Sequence, residues 1–163
     1  MLTRLVTIID RLSGATGLFG ASLVLPIAAV MFYEVVLRYF FNAPTTWVHE
    51  VSIFLTATAF IVGGSYTLQR RDHIRISLVF DSVPAGTRYW LSIINAIVTL
   101  YFLLALAYGA TIQAEKSLRV MERTGTASDL PIPVTLKSLL ALGVTLMVLQ
   151  AAVQLGRAIR NRL

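Results

Sequence analysis

The sequence predicts an all-α integral membrane protein with four transmembrane helices and a short interfacial N-terminal lead-in. Only 13% of its 163 residues are charged, whereas an average soluble domain has roughly 25%. The charges are also grouped, so that four long runs are uncharged: residues 12–33, 51–69, 89–114 and 138–156. Each run approaches or exceeds the roughly 20 residues that a helix needs to cross a hydrocarbon core. A soluble bundle would need a polar stripe on each helix, and these runs are apolar on nearly every face.

The residues between the runs give the bounds of a single membrane domain that covers residues 1–163. Apolar residues recur at the spacing of an amphipathic helix over residues 1–13, with charged residues between them. This spacing predicts an interfacial lead-in or a cytoplasmic extension of the first helix. Pro26 should kink the first helix, because proline removes one helical hydrogen bond. Clusters of proline, glycine and polar residues separate the runs. The predicted helices are 14–41, 46–69, 84–114 and 132–156.

The net charge of +6 indicates an orientation in the membrane. With four spans, both termini and the 70–88 connection lie on one side, and that side holds nine of the Lys and Arg residues against five on the other. The positive-inside rule therefore places both termini in the cytoplasm. Because the basic residues are distributed in this way, we do not expect a nucleic-acid surface.

The connection between the first two helices concentrates polar chemistry at one membrane boundary. Glu34 and Arg38 are four residues apart, so they share a helix face. Asn42-Ala43-Pro44 ends that helix. Trp47 suits an interface, and Glu50 lies in the first turn of the next helix, where the helix dipole favours an anion. We expect Arg38 to pair with Glu34, with Glu50 or with both, which would form a latch between the two helices.

Two further sets of residues are candidates for contacts with other elements or other chains. Ala59, Gly63 and Gly64 form a small-residue face on the second helix, and such faces let another helix approach closely. The connection 115–131 is the longest one on the side opposite the termini. It is either a solvated loop or a docking site for a partner, with Lys116, Arg119 and Arg123 as the candidate residues.

The sequence offers little catalytic or metal-binding chemistry. The two histidines, His49 and His73, are 24 residues apart, which is about 36 Å along a helix, so they cannot bind one haem or metal together. Cysteine is absent. We therefore expect no cofactor and no enzymatic activity. An autonomous transporter would be expected to place an ionisable group near the middle of the bilayer, and the central thirds of the four predicted helices have none.

At this point the residues resemble a known family. Residues 38–44, Arg-Tyr-Phe-Phe-Asn-Ala-Pro, with Trp47 and Glu50, resemble the first hairpin of the DctQ-type small permease subunit of tripartite ATP-independent periplasmic (TRAP) transporters. Gly63-Gly64, followed by Arg-Arg-Asp-His-Ile-Arg-Ile at 70–76, is similar to a cytoplasmic segment of that family. The resemblance covers nearly the whole chain.

The resemblance implies a Na⁺-coupled importer of carboxylate solutes in the bacterial inner membrane. It implies two protein partners: a large permease subunit (M) with the Na⁺ and substrate sites, and a periplasmic substrate-binding protein (P) that captures the solute. The small subunit would pack on the scaffold of the large subunit and brace it in the lipid bilayer. His49 departs from the pattern, because many relatives have a second acid beside the position of Glu50. Glu50 is then the remaining acid of the hairpin.

Two alternative functions remain open from the sequence. One is a self-contained four-helix exporter that uses Glu34, the deepest acid. The other is a membrane anchor subunit of a respiratory complex, which the spacing of the two histidines disfavours. The sequence does not identify the solute.

Overall fold

The structure is a computed structural model that describes residues 2–69, 84–126 and 128–160, and every regular element in these ranges is an α-helix. The helices are α1 (Leu2–Ser22), α2 (Val24–Phe40), α3 (Trp47–Gln69), α4 (Ala85–Val120) and α5 (Ile132–Arg160). Among the described residues, four stretches are long and apolar enough to cross a membrane: Val6–Phe40, Trp47–Leu68, Tyr89–Val120 and Ile132–Arg157. The predicted four-helix membrane fold is therefore confirmed. The predicted cytoplasmic segment 70–76, with His73, lies outside the described residues.

The first span consists of two helices, α1 and α2, which meet at Leu23. Pro26 has no N–H to donate to the carbonyl of Ser22, and its ring crowds that carbonyl. The Leu23 N–H still donates to the carbonyls of Phe19 and Gly20, both at 3.3 Å. The interruption is confined to Leu23, whose φ of −69° and ψ of −16° remain α-helical, so the two helices form one nearly continuous span. Residues 2–13 are helical and continue directly into this span.

The helices α3 and α5 form the centre of the bundle. α1 packs along α3, α4 packs along α5, and α3 packs against α5. One buried cluster contains a residue from each of α3, α4 and α5: Leu68, Leu103 and Ala151. None of residues 24–40, which the structure describes throughout, is buried. The apolar outer surfaces of α2 and α4 are thus left for lipid or for another chain.

Glycine allows α3 to approach both of its main neighbours. A Cβ atom at Gly20 of α1 would lie 3.1 Å from the carbonyl oxygen of Ala59, and one at Gly143 of α5 would lie 2.5 Å from Cγ2 of Ile61. Because lipid is as apolar as the side chains, close packing of this kind replaces the hydrophobic effect as the force between membrane helices.

The two ends of the bundle are distinguished by their connections. The turn 41–46 and the loop 121–131 lie at the same end, since Glu50 at the start of α3 contacts Thr126 of the loop. We call this the hairpin end. At the opposite end, Asp10 of α1 is paired with Arg157 of α5, and we call this the terminal end.

Candidate subunit-contact site at the hairpin end

The turn that ends α2 is built by residues 41–44. The N–H groups of Phe41 and Ala43 both donate to the carbonyl of Leu37, at 3.2 and 3.1 Å. This closure requires a left-handed residue, and Asn42 occupies that position with φ of 50°. Asparagine is one of the few residues other than glycine that tolerate this conformation. The turn therefore brings the residues after Pro44 back towards α2.

Glu34 holds this turn in place. Its Oε1 accepts two hydrogen bonds from Arg38, at 2.6 Å from Nη2 and 3.1 Å from Nε. Its Oε2 accepts one from the backbone N–H of Thr45 at 3.2 Å and another from the Thr45 hydroxyl. The Glu34 side chain is only 13% exposed, whereas that of Arg38 is 55% exposed. Glu34 is thus the residue that joins α2 to the turn, and Arg38 covers it from outside.

Trp47 lies at the first position of α3, next to Tyr33 of α2. The two ring centroids are 6.1 Å apart and the rings are tilted by 37°. Both side chains are exposed. Aromatic residues with one polar atom favour the boundary between lipid and water, so this pair is suited to mark the membrane boundary at the hairpin end.

Glu50 contacts the loop between α4 and α5. Its Oε1 accepts a hydrogen bond from the Thr126 hydroxyl, and the described residues contain no ion pair between it and Arg38. Ser128 Oγ and Glu50 Oε2 are buried without a hydrogen-bond partner among the described residues. The carboxylate therefore lies between the two helical hairpins of the chain.

The three basic residues proposed for docking are placed around the end of α4. Arg119 is paired with Glu115 of the preceding turn at 2.5 Å. Arg123 is paired with Asp129 across the loop at 3.3 Å. Lys116 is exposed. These side chains are accessible, but the two arginines have partners in their own chain.

A second ion pair joins the two ends of the same loop. Glu122 accepts hydrogen bonds from Lys137 of α5 and, at 2.7 Å, from the hydroxyl of Ser117. The Lys137 ammonium and the Ser117 hydroxyl hold the pKa of the Glu122 carboxyl below its ordinary value of 4.5. The loop is therefore bound at its beginning to α5 as well as to α4.

The small residues of α3 face different surroundings. Ala59 packs against Gly20 of α1, as described above, and a Cβ atom at Gly64 would lie 3.0 Å from the sulfur of Met147 in α5. A Cβ atom at Gly63 would meet no described atom within 4 Å. Ala59 and Gly64 thus contribute to contacts inside this chain, whereas Gly63 leaves room for a side chain or for a partner.

Sequence reasoning missed a polar cluster at the terminal end. Asp10 accepts hydrogen bonds from Gln150, at 3.1 Å, and from Arg157. Ser13 donates to Oε1 of Gln150 at 3.4 Å, and both of these side chains are completely buried. The available signal was the spacing of Gln150, Gln154 and Arg157, which are four and three residues apart and share one helix face. The cluster joins α1 to α5.

The described residues contain no group of three or more His, Cys, Asp or Glu side chains placed to bind a metal ion. His49 is exposed beside the hairpin turn. The charged and hydroxyl groups described above lie at the two ends of the bundle, and apolar helices separate these ends.

The comparisons with known proteins agree with this architecture. A family model described as "Tripartite ATP-independent periplasmic transporters, DctQ component" matches residues 27–161. The chain is also similar to the "C4-dicarboxylate TRAP transporter small permease protein DctQ" of Vibrio cholerae serotype O1 (strain ATCC 39315 / El Tor Inaba N16961). The two sequences are 29% identical over 79 residues, which cover 48% of this chain and 34% of the relative. The match thus spans about a third of the relative's length. With a family match that covers most of the chain and a four-span helical fold, this multi-pass membrane protein belongs to the DctQ component family of TRAP transporters.

Proposed function

We propose that this chain is the small permease subunit of a Na⁺-coupled, binding-protein-dependent importer of carboxylate solutes, and that it braces the scaffold of the large permease subunit. The observation that carries the proposal is the position of its charges. In the described part of the chain, acidic and basic side chains lie at the two ends of the bundle, and several of them join this chain's own helices. The middle of each span has no ionisable side chain, the kind of group that secondary transporters commonly use for ion coupling.

The state of Glu34 favours bracing over export by this chain alone. A carboxylate that carries protons across a membrane has to exchange them with water during each cycle. The Glu34 side chain is instead only 13% exposed within this chain, and its two oxygens accept hydrogen bonds from Arg38 and Thr45. These contacts are those of a structural residue in the turn.

The outer surfaces of α2 and α4 are the areas available to a large partner. α2 has no buried residue in its described range 24–40. α4 is covered by α5 along one side, and large apolar side chains remain exposed on its other sides: Trp90, Ile94, Val98, Tyr101, Phe102 and Tyr108. Helices in lipid associate through close packing rather than through hydrophobicity. A large subunit packed on either surface would have this chain as a fixed part of the complex. Its own moving parts could then shift relative to that fixed part.

The positive-inside rule supports an arrangement in which the terminal end faces the cytoplasm and the hairpin end faces the periplasm. In the bacterial inner membrane, this orientation would put the loop 121–131 on the periplasmic side, where the substrate-binding protein is located. We propose that Lys116, Arg119 and Arg123 take part in docking that protein, since all three are exposed. The name of the Vibrio cholerae relative makes a C4-dicarboxylate the first solute to test.

Reconstitution tests the proposal. This chain alone, the complex with its large subunit, and the complex supplied with binding protein are placed in liposomes with an inward Na⁺ gradient. Uptake of a labelled C4-dicarboxylate is expected from the complete system and not from this chain alone. Uptake by this chain alone, abolished by Glu34→Gln, would overturn bracing in favour of export.

A further inference from the structure

The loop between α4 and α5 has a defined internal structure. The Thr124 N–H donates to the carbonyl of Leu130, and the Leu130 N–H donates to the Thr124 hydroxyl, both at 3.1 Å. The Asp129 N–H donates to the carbonyl of Thr126 at 3.0 Å. Gly125 has φ of 65°, a conformation that glycine adopts without strain. The described loop residues therefore form a compact turn rather than an open connection.

Hydrogen bonds between the described loop residues and α3 converge on Glu50. The Thr126 hydroxyl contacts the Glu50 carboxylate and lies 3.0 Å from the Thr124 hydroxyl. The other hydrogen bonds described for the loop lie within the loop itself or join it to α4 and α5. A carboxylate acceptor makes a stronger hydrogen bond than a neutral one, and the first turn of a helix favours its charge. Among the described residues, Glu50 therefore supplies the hydrogen-bond acceptor that joins the loop to α3.

We propose that Glu50 is a positioning residue for the docking of the periplasmic substrate-binding protein. It fixes the loop over α3 and thereby holds Arg123 and Asp129, which are paired across the loop, in the position that the binding protein contacts. This inference rests on the proposed function, because it needs the hairpin end to face the binding protein. It assigns to Glu50 a role in partner recognition, and it leaves packing against the large subunit to the apolar helices.

The charges of the loop are suited to a protein partner. Arg119, Arg123 and Asp129 each have side chains more than half exposed, and their ion pairs lie at the surface. Exposed ion pairs contribute little to the stability of their own protein. They can therefore exchange partners across an interface at small cost, provided that the loop backbone is already in place. Such an interface favours specificity and fast association over raw affinity.

Limited proteolysis measures whether Glu50 holds the loop. In the purified complex of large and small subunits, Glu50→Ala and Thr126→Val should both accelerate tryptic cleavage after Arg123 by about tenfold, which corresponds to about 1.4 kcal/mol. The double variant should be no faster than the faster single one, because both changes remove the same hydrogen bond. Thr111→Val is the control, since among the described residues the Thr111 hydroxyl donates to two carbonyls of its own helix, those of Ala107 and Tyr108.

The effect on docking is measured as the Kd of the solute-loaded binding protein for the same complexes in nanodiscs. The two variants should raise its Kd by a similar factor of about ten, with Thr111→Val unchanged and Glu50→Gln in between. Unchanged cleavage in both variants, or faster cleavage with an unchanged Kd, would overturn the role of Glu50. If the complex with Glu50→Ala does not assemble, the result for Thr126→Val tests the proposal by itself, because Thr126 is exposed and its substitution should not disturb assembly. A parent complex that binds no binding protein would instead contradict the proposed function, while the cleavage rates still report on the loop.

Discussion

Glu34 and Thr45 are eleven residues apart in sequence, and the backbone N–H of Thr45 donates to Glu34 Oε2 over 3.2 Å. The same carboxylate binds the Arg38 guanidinium with its other oxygen. The turn between the first two spans is therefore closed by a side chain from the helix that precedes it. Arg38 stabilises that side chain but makes no hydrogen bond to the turn among the described residues.

This arrangement predicts that Glu34→Ala costs more stability than Arg38→Ala. Losing Glu34 removes the acceptor for the Thr45 N–H and hydroxyl as well as the partner of Arg38, so its loss should be the larger one. Losing Arg38 removes a half-exposed ion pair, which should cost about 0–1 kcal/mol. Unfolding by increasing SDS in mixed micelles, followed by circular dichroism, measures both. Glu115→Ala is the control, because Glu115 has the same spacing to Arg119 without a turn to hold. Equal losses for the two variants would contradict the central role of Glu34.

The cluster at the terminal end predicts energetic coupling between Asp10 and Arg157. Both side chains are about one-quarter to one-third exposed, so their hydrogen bond is partly protected from water. Asp10→Ala and Arg157→Ala should each lower the unfolding free energy, and the double variant should lose less than the sum. A double-mutant cycle should give a coupling of about 1–2 kcal/mol. The exposed pair of Glu115 and Arg119 should give less than half of that coupling. An additive result for Asp10 and Arg157 would show that this ion pair does not contribute to joining α1 and α5.

The fold class could be predicted because hydropathy and charge spacing are properties of each segment by itself. The partners of each helix could not, because a helix that is apolar on all sides has no stripe that points to a neighbour. The same distinction applies to the site. The spacing of Glu34 and Arg38 makes their proximity readable, since residues four apart share a helix face. The contact of Glu50 with Thr126 depends on how two hairpins dock, and residues 76 apart give no local signal.

The ion pair of Glu122 and Lys137 predicts a pH dependence of stability. Lys137 lowers the pKa of the Glu122 carboxyl from its ordinary value of 4.5. A group with a lowered pKa in the folded state stabilises the fold above its unfolded pKa, and this contribution disappears as the pH falls through the folded pKa. The thermal midpoint in detergent should therefore fall more steeply below about pH 4.5 in the parent chain than in Glu122→Gln. Parallel curves for the two proteins would exclude a contribution from this carboxyl.

The orientation predicts where an impermeant thiol reagent reaches the chain. Met121 lies at the hairpin end and Ile159 at the terminal end, and both side chains are more than half exposed. The parent chain has no cysteine, so single Met121→Cys and Ile159→Cys variants report on one position each. In intact spheroplasts, labelling is expected at position 121 and not at 159, as the positive-inside rule requires. The reverse pattern would place the termini in the periplasm.

Where a glycine of this chain faces another of its helices, a larger residue should lower the stability of the chain even without its partner subunit. A Cβ atom at Gly143 would lie 2.5 Å from Cγ2 and 3.3 Å from the carbonyl oxygen of Ile61. Gly143→Leu should therefore force α3 and α5 apart and cost about 1–3 kcal/mol or more, as overpacked sites do. Unfolding in SDS measures the loss. Gly109→Leu is the control, since a Cβ atom at Gly109 meets no described atom within 4 Å.

At Gly63 we expect a substitution to leave the stability of this chain unchanged and to weaken its association with the large subunit. Because a Cβ atom there also meets no described atom within 4 Å, Gly63→Leu should leave the stability of this chain unchanged. A residue without a side chain nevertheless lets another helix approach closely. If the large subunit covers this position, Gly63→Leu should reduce co-purification of the two subunits severalfold. Reduced co-purification with normal stability would locate a subunit contact at Gly63. Normal co-purification would show that lipid covers this part of α3, and the large subunit would then pack elsewhere on the chain.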